Sequence, residues 1–339
     1  MRRGVRVALM AGLAAAVALI ALGVVDSQAA LTGWLAGFAW WSGVPLGALL
    51  LAMMAGLIPG RWREEIAAPA TALMALMPLV GIAVLPILIG VKALYPWAGE
   101  TGGLYLSAGF FAIRSIVFLA ILIGLAGKLL MPRSWRLPLS AGGLVLFVLL
   151  DTTLAVDWLM SLEPGFHSSG FGLYVVAIQA NVALAVILLM RLRLRDAQPG
   201  LLGALMLTAL LVWTYLAFMQ YLISWSDNLP EPVQWYRRRG SGLWAAAEFA
   251  IGALDLIPLV LLFLARIRNS RVWLRAIAVA VLLGKAIEVA WLVFPATETA
   301  SWLGALAGIL ALLTLFASSL GFFAWVSQAR ALPSQRPAP

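Results

Sequence analysis

Six ionisable side chains, Arg114, Asp151, Glu248, Asp255, Lys285 and Glu288, interrupt stretches that are otherwise apolar. A charge in hydrocarbon costs about 2.5–3.5 kcal/mol on insertion scales, so each needs a partner or a path lined by water. Glu248 and Asp255 are seven residues apart and Lys285 and Glu288 three apart, spacings that put each pair on one helix face. At ~1.5 Å per residue their depths below the outward surface are about 9 Å for Glu288, 10 Å for Glu248, 14 Å for Lys285 and 20 Å for Asp255. Such a ladder of carboxylates around a lysine suits a proton relay, and it equally suits a network that stitches two helices together. Pro258, one turn beyond Asp255, loosens the helix there and favours entry of water. Arg114 and Asp151 lie at the same estimated depth, about 13–15 Å, on consecutive helices. The spacing predicts an ion pair between them, with a ligand or proton site as the other reading.

The elements that carry these groups are membrane helices. Of 339 residues 63% are hydrophobic and 11% charged, against roughly 25% charged in a soluble domain, which excludes a soluble globular fold. Apolar runs long enough to span a bilayer fall near 5–25, 34–58, 68–91, 104–130, 137–158, 170–190, 200–224, 242–265, 272–294 and 302–326. The expected fold is all-α, a single polytopic membrane domain over 1–339. Seventeen lysines and arginines fall in the tails and alternate loops of one side, against Lys92 and Arg237, Arg238 and Arg239 on the other. The positive-inside rule then puts both termini in the cytoplasm of a bacterial inner membrane. The net charge of +9 is thus a topology signal, and nucleic acid is not an expected partner. The first helix has a basic start and a small-residue end like a secretory signal, but its apolar core of about 19 residues exceeds the usual 7–15, so it is expected to be retained.

There is no cysteine and one histidine, His167. These exclude a Cys-ligated iron–sulfur cluster, c-type haem attachment and a bis-histidine haem within the chain, and no metal site is expected. The outward connections Lys92–Gly103, Asp157–Ser169 and Ser226–Gly240 mix carboxylates, prolines and aromatics. Interfacial Trp and Tyr with helix-capping acids account for that composition, and a surface shaped for a partner or a ligand head group accounts for it as well.

Two long motifs carry a family resemblance. One is Asp157-Trp158-Leu159-Met160-Ser161-Leu162-Glu163-Pro164, followed by Phe171-Gly172-x-Tyr174. The other is Val212-Trp213-Thr214-Tyr215-x-Ala217-Phe218-x-Gln220-Tyr221-Leu222-Ile223-x-Trp225, then Asn228-x-Pro230-Glu231 and Trp235-Tyr236. Weaker echoes are Gly60-Arg61-Trp62, Leu94-Tyr95-Pro96-Trp97-Ala98 and Phe110-Phe111-x-Ile113-Arg114. Over roughly residues 34–240 the chain resembles the second large membrane subunit of alternative complex III, a quinol:cytochrome c oxidoreductase. The resemblance implies the polysulfide-reductase-like (NrfD-like) fold, two four-helix bundles plus flanking helices. It implies as partners the other large membrane subunit of that fold, an iron–sulfur subunit and haem c subunits. No cofactor would be bound covalently, and the ligand would be quinone or quinol. The chain is shorter than typical members and lacks the histidines expected at the end of helix two.

On that resemblance Asp157, Trp158, Glu163 and His167 mark the outward, quinone-facing surface, with Asp157, Glu163 and His167 placed to accept quinol protons; a solvated or capping loop histidine is the other reading of His167. The expected role is a structural membrane subunit with a transmembrane proton path that carries no electrons itself. Two rivals are an orphan scaffold or assembly partner of a terminal oxidase and a stand-alone proton-coupled transporter. No inverted repeat supports the transporter.

Overall fold

The computed structural model describes residues 3–99, 103–131, 136–226, 230–297 and 302–331. Among these the regular structure is helical, with ten helical stretches long and apolar enough to cross a membrane. The described chain starts with α1 (Arg3–Val25) and α2 (Ser27–Leu57). Asp26 alone separates them, and its carboxylate accepts from the Ala29 amide at 2.9 Å. That cap starts the second helix at Ser27, earlier than the expected 34.

The third crossing is not one helix. It is assembled from α3 (Trp62–Met74), α4 (Met77–Ala83) and α5 (Leu85–Ile89). Pro78 and Pro86 each sit at the start of a new segment, where the missing N–H does no harm. A short α6 (Val91–Leu94) leads into a loop in which Tyr95 and Trp97 are buried. There follow α7 (Ala108–Leu129), α8 (Arg136–Trp158), α9 (Phe171–Arg191) and α10 (Pro199–Ser226). The expected outward loop Ser226–Gly240 holds a helix, α11 (Pro230–Arg239), while Asp227, Asn228 and Leu229 lie outside the described residues. The chain goes on through α12 (Gly242–Leu262), α13 (Ala265–Arg268), α14 (Arg271–Val293) and α15 (Trp302–Ala331).

Packing sorts the crossings into two four-helix groups, α2, α3–α5, α7 and α8 in one and α9, α10, α12 and α14 in the other, with α1 and α15 flanking. With ten crossings α1 starts and α15 ends at the same face, called basal here, and the opposite face is distal. α2 is buried nearly all round, as expected of a helix with no polar stripe. Its indoles tie helices on three sides to it. Trp34 Nε1 donates to the Ala83 carbonyl at 2.9 Å, Trp40 to Leu282 at 3.2 Å, and Trp41 to Ser319 Oγ at 3.0 Å.

Gly33 and Gly37, four apart on α2, meet Ala307 and Ala311, four apart on α15, the small-residue contact that lets membrane helices approach closely. A Cβ at Gly37 would stand 2.8 Å from the Ala311 Cβ. Gly37→Leu is therefore expected to cost about 1–3 kcal/mol of overpacking, read as a lower unfolding temperature in detergent.

Candidate functional site

The first group of helices corrects one expectation. Arg114 does not pair with Asp151. Its guanidinium grips Asp157 with both prongs, Nε to Oδ2 and Nη2 to Oδ1 at 2.8 Å each, and donates from Nη1 to the Tyr105 carbonyl at 2.9 Å. Helical side chains lean toward their own N-terminus. α7 begins at the distal face and α8 ends there, so Arg114 reaches outward and Asp157 inward until they meet. Depth arithmetic on Cα positions misses this by more than a turn. Asp151 is left with Gln179 Nε2 at 3.4 Å on Oδ1 and no partner for its buried Oδ2.

Around the Arg114–Asp157 pair the first motif and its echoes converge. The Tyr95 hydroxyl donates to the Trp158 carbonyl, Trp97 Nε1 to the Ser161 carbonyl and Trp158 Nε1 to Ser115 Oγ, all at 3.0 Å. Burial, and then the Asp157 charge, raise the Tyr95 phenol well above its ordinary value of 10.0. A raised folded-state pKa stabilises the neutral form. The contribution is fully present below the ordinary phenol value and is lost as pH climbs toward the folded-state one. Removing one partner of a buried ion pair costs about 3–5 kcal/mol. Arg114→Leu and Asp157→Leu should each lose that much and prove strongly non-additive in a double-mutant cycle on thermal unfolding, whereas Arg114→Leu and Asp151→Leu should add within about 0.5 kcal/mol.

The other surface candidates separate. Glu163 is taken by two arginines of α11, Arg238 Nη1 at 3.1 Å and Arg239 Nη2 at 2.6 Å. His167 is exposed and lines a wide groove of about 630 Å³ with Tyr105, Thr152 and Thr153. Asp157 and Trp158 are buried in the contacts above.

The second group holds a denser constellation. α12 and α14 lie side by side, and Gly284 permits the approach: a Cβ there would stand 2.7 Å from Asp255 Oδ2. Lys285 Nζ sits 2.8 Å from Glu288 Oε2 and 3.2 Å from Asp255 Oδ2, with all three side chains essentially fully buried. It also stands over the Trp213 ring, 3.2 Å from the centroid, a cation–π contact on a desolvated ammonium. Glu288 Oε1 accepts from the Tyr174 hydroxyl and, at 2.8 Å, from Trp213 Nε1. The i,i+3 pair expected on α14 is thus present, and Asp255 joins it from α12.

One cation faces two carboxyl groups, and their satisfaction differs. Glu288 receives three donors. Asp255 has the Lys285 ammonium 3.2 Å from Oδ2 and, among the described residues, no other donor on either oxygen. Glu288 is thus held by three donors and Asp255 by the Lys285 ammonium alone, an arrangement that suits proton exchange at Asp255 and equally suits a clamp between α12 and α14.

This constellation opens toward the distal side. Glu288, Tyr174 and Trp213 form part of the wall of a cavity of about 260 Å³ that also contains Gln220, Trp291 and, at its mouth, Glu248. Glu248 and Asp255 therefore differ in setting, the first exposed and the second fully buried. Tyr174 and Trp213 stood in the two motifs without an assigned role; their placement depends on how α9 and α10 pack, which no single-helix periodicity reports.

α11 roofs this region. Arg239 is buried among carbonyls, donating to Trp291 at 3.1 Å, Trp235 at 3.1 Å and Leu292 at 3.0 Å, and its guanidinium stacks 3.7 Å from the Trp235 ring centroid. Burial pulls this guanidinium below its ordinary pKa, and Glu163 pushes back. Trp235 stacks in turn on Phe166 at 4.4 Å, which joins the two motif regions. Among the described residues no cluster of histidine and carboxylate side chains is arranged to hold a metal. No protein-family model and no curated protein matches the chain.

Proposed function

We propose that the chain is a membrane subunit of a quinol:cytochrome c oxidoreductase of the alternative complex III type, and that it provides a proton path and no electron carrier. The observation that carries the proposal is the Asp255–Lys285–Glu288 constellation, buried between helices long and apolar enough to cross a membrane and joined to Glu248 through the cavity that Glu288 lines. Chains of intramembrane carboxylates mark proton relays in pumps and transporters. The two motifs quoted above support the family, and the cation asymmetry supports a bacterial inner membrane with both termini in the cytoplasm, so that the distal face is periplasmic. Protons would move between Glu248 and the cavity at that face and Asp255 beyond the midplane. Quinone or quinol would be the complex's substrate. Its partners would be a second polysulfide-reductase-like subunit, an iron–sulfur subunit and haem c subunits.

Affinity purification of the tagged chain in mild detergent tests this. Haem c and iron–sulfur subunits should copurify with quinol:cytochrome c activity, and the chain stripped of its partners should show no Soret band. Copurification of a terminal oxidase alone would assign a scaffold role instead. Purification with no partner would turn the same buried charges toward stand-alone proton-coupled transport.

A further inference from the structure

At the distal end of α10 and α12 the inner cavity continues into a vestibule of about 380 Å³, the two sharing Tyr221, Tyr236 and Glu248. The vestibule wall holds two opposite charges, Glu248 from α12 and Arg237 from α11. Both are exposed, and among the described residues neither meets a counter-ion, although Arg238 and Arg239 beside Arg237 are both paired. Glu248 lies six residues inside α12, about 9 Å below the helix start, where lipid head groups give way to chains. An unpaired carboxylate there is poorly solvated. A cation and an anion that share one chamber without closing on each other leave room for a ligand carrying both complements.

We propose that this vestibule binds the head group of a zwitterionic phospholipid with a primary ammonium, the phosphatidylethanolamine class. The ammonium donates to the Glu248 carboxylate beside the Tyr221 and Tyr236 rings, whose faces attract a cation. The phosphate takes the fork of Arg237, which suits two oxygens at once. The acyl chains run along the apolar flanks next to the vestibule, where Phe218 of α10 and Leu243 and Phe249 of α12 are exposed. A primary ammonium is preferred to choline because only N–H donors can satisfy the carboxylate, and to glycerol head groups because those carry no cation.

The test is lipid retention by the full chain, delipidated in detergent and re-exposed to vesicles of phosphatidylethanolamine, phosphatidylcholine or phosphatidylglycerol, with bound lipid counted by native mass spectrometry. Wild type should retain phosphatidylethanolamine about tenfold better than the other two. Glu248→Gln should erase that preference and leave phosphatidylglycerol retention unchanged, while Arg237→Gln should lower retention of all three. Both residues are exposed, so unfolding temperatures near wild type will show that the variants fold. Equal retention of the three lipids by wild type, or a preference that survives Glu248→Gln, would overturn the assignment. The readout involves no proton movement, so the proposal stands or falls apart from the proton path.

Discussion

Lys285→Met is expected to leave little folded protein in the membrane. The substitution keeps most of the length of the side chain and removes the cation that, alone among the described residues, faces Asp255 and Glu288, both buried. Breaking a buried ion pair from one side costs about 3–5 kcal/mol, because the partner's desolvation is no longer offset. That is a large share of the roughly 5–15 kcal/mol by which folded proteins are stable. Lys285→Met combined with Glu288→Gln and Asp255→Asn should restore accumulation, since the amide oxygen at 288 still accepts from Tyr174 and Trp213 and neither acid is left as an anion without its cation. Membrane levels and thermal unfolding in detergent measure both. A Lys285→Met single variant as stable as wild type would mean that the lysine is not neutralising these acids.

Arg239→Leu is the second large effect. Three backbone carbonyls, of Trp235, Trp291 and Leu292, and the Glu163 carboxylate all lose a donor or cation in a buried place. Each unsatisfied buried group costs about 1–3 kcal/mol. The loss should release α11, seen as new protease cleavage within 230–239 as well as a lower unfolding temperature. Arg239→Lys should not rescue, because a single ammonium cannot reach carbonyls on both α11 and α14 while stacking on Trp235. Arg238→Leu, at a side chain 58% exposed, should stay within about 1 kcal/mol of wild type. Equal effects at Arg238 and Arg239 would contradict the burial that separates them.

The contrast between these neighbouring arginines shows what the sequence reveals and what it hides. The ten crossings are legible because hydrocarbon demands about 20 apolar residues each time, and the observed ends fall within a few residues of the apolar runs except at α2, where Asp26 starts the helix early, and at the third crossing, which starts at Trp62 and not at 68. Lys285 with Glu288 is legible because both lie on one helix three residues apart. Contacts between helices are not. Asp255 reaches Lys285 only because Gly284 lets α12 close on α14, and Tyr174 and Trp213 reach Glu288 only through the packing of four helices. Cα height puts Arg114 level with Asp151, while the side chains lean by several ångström and bring its guanidinium to Asp157. Arg237, Arg238 and Arg239 read as a uniform basic run, and a helix turns each by 100° so that one is buried, one pairs at the surface and one is free for a ligand. α11 itself was hidden by its prolines and polar residues, which read as a loop.

Quinol-driven proton release, measured together with electron transfer after the parent complex is reconstituted in vesicles, tests the proposed proton path most directly. Asp255→Asn keeps the shape of the side chain and removes its titrating proton. The path predicts that protons released per electron fall to those liberated by quinol oxidation alone, with the complex assembled and electron transfer still running. Unchanged stoichiometry in Asp255→Asn and in Glu248→Gln would contradict it and reduce the buried constellation to a clamp between helices.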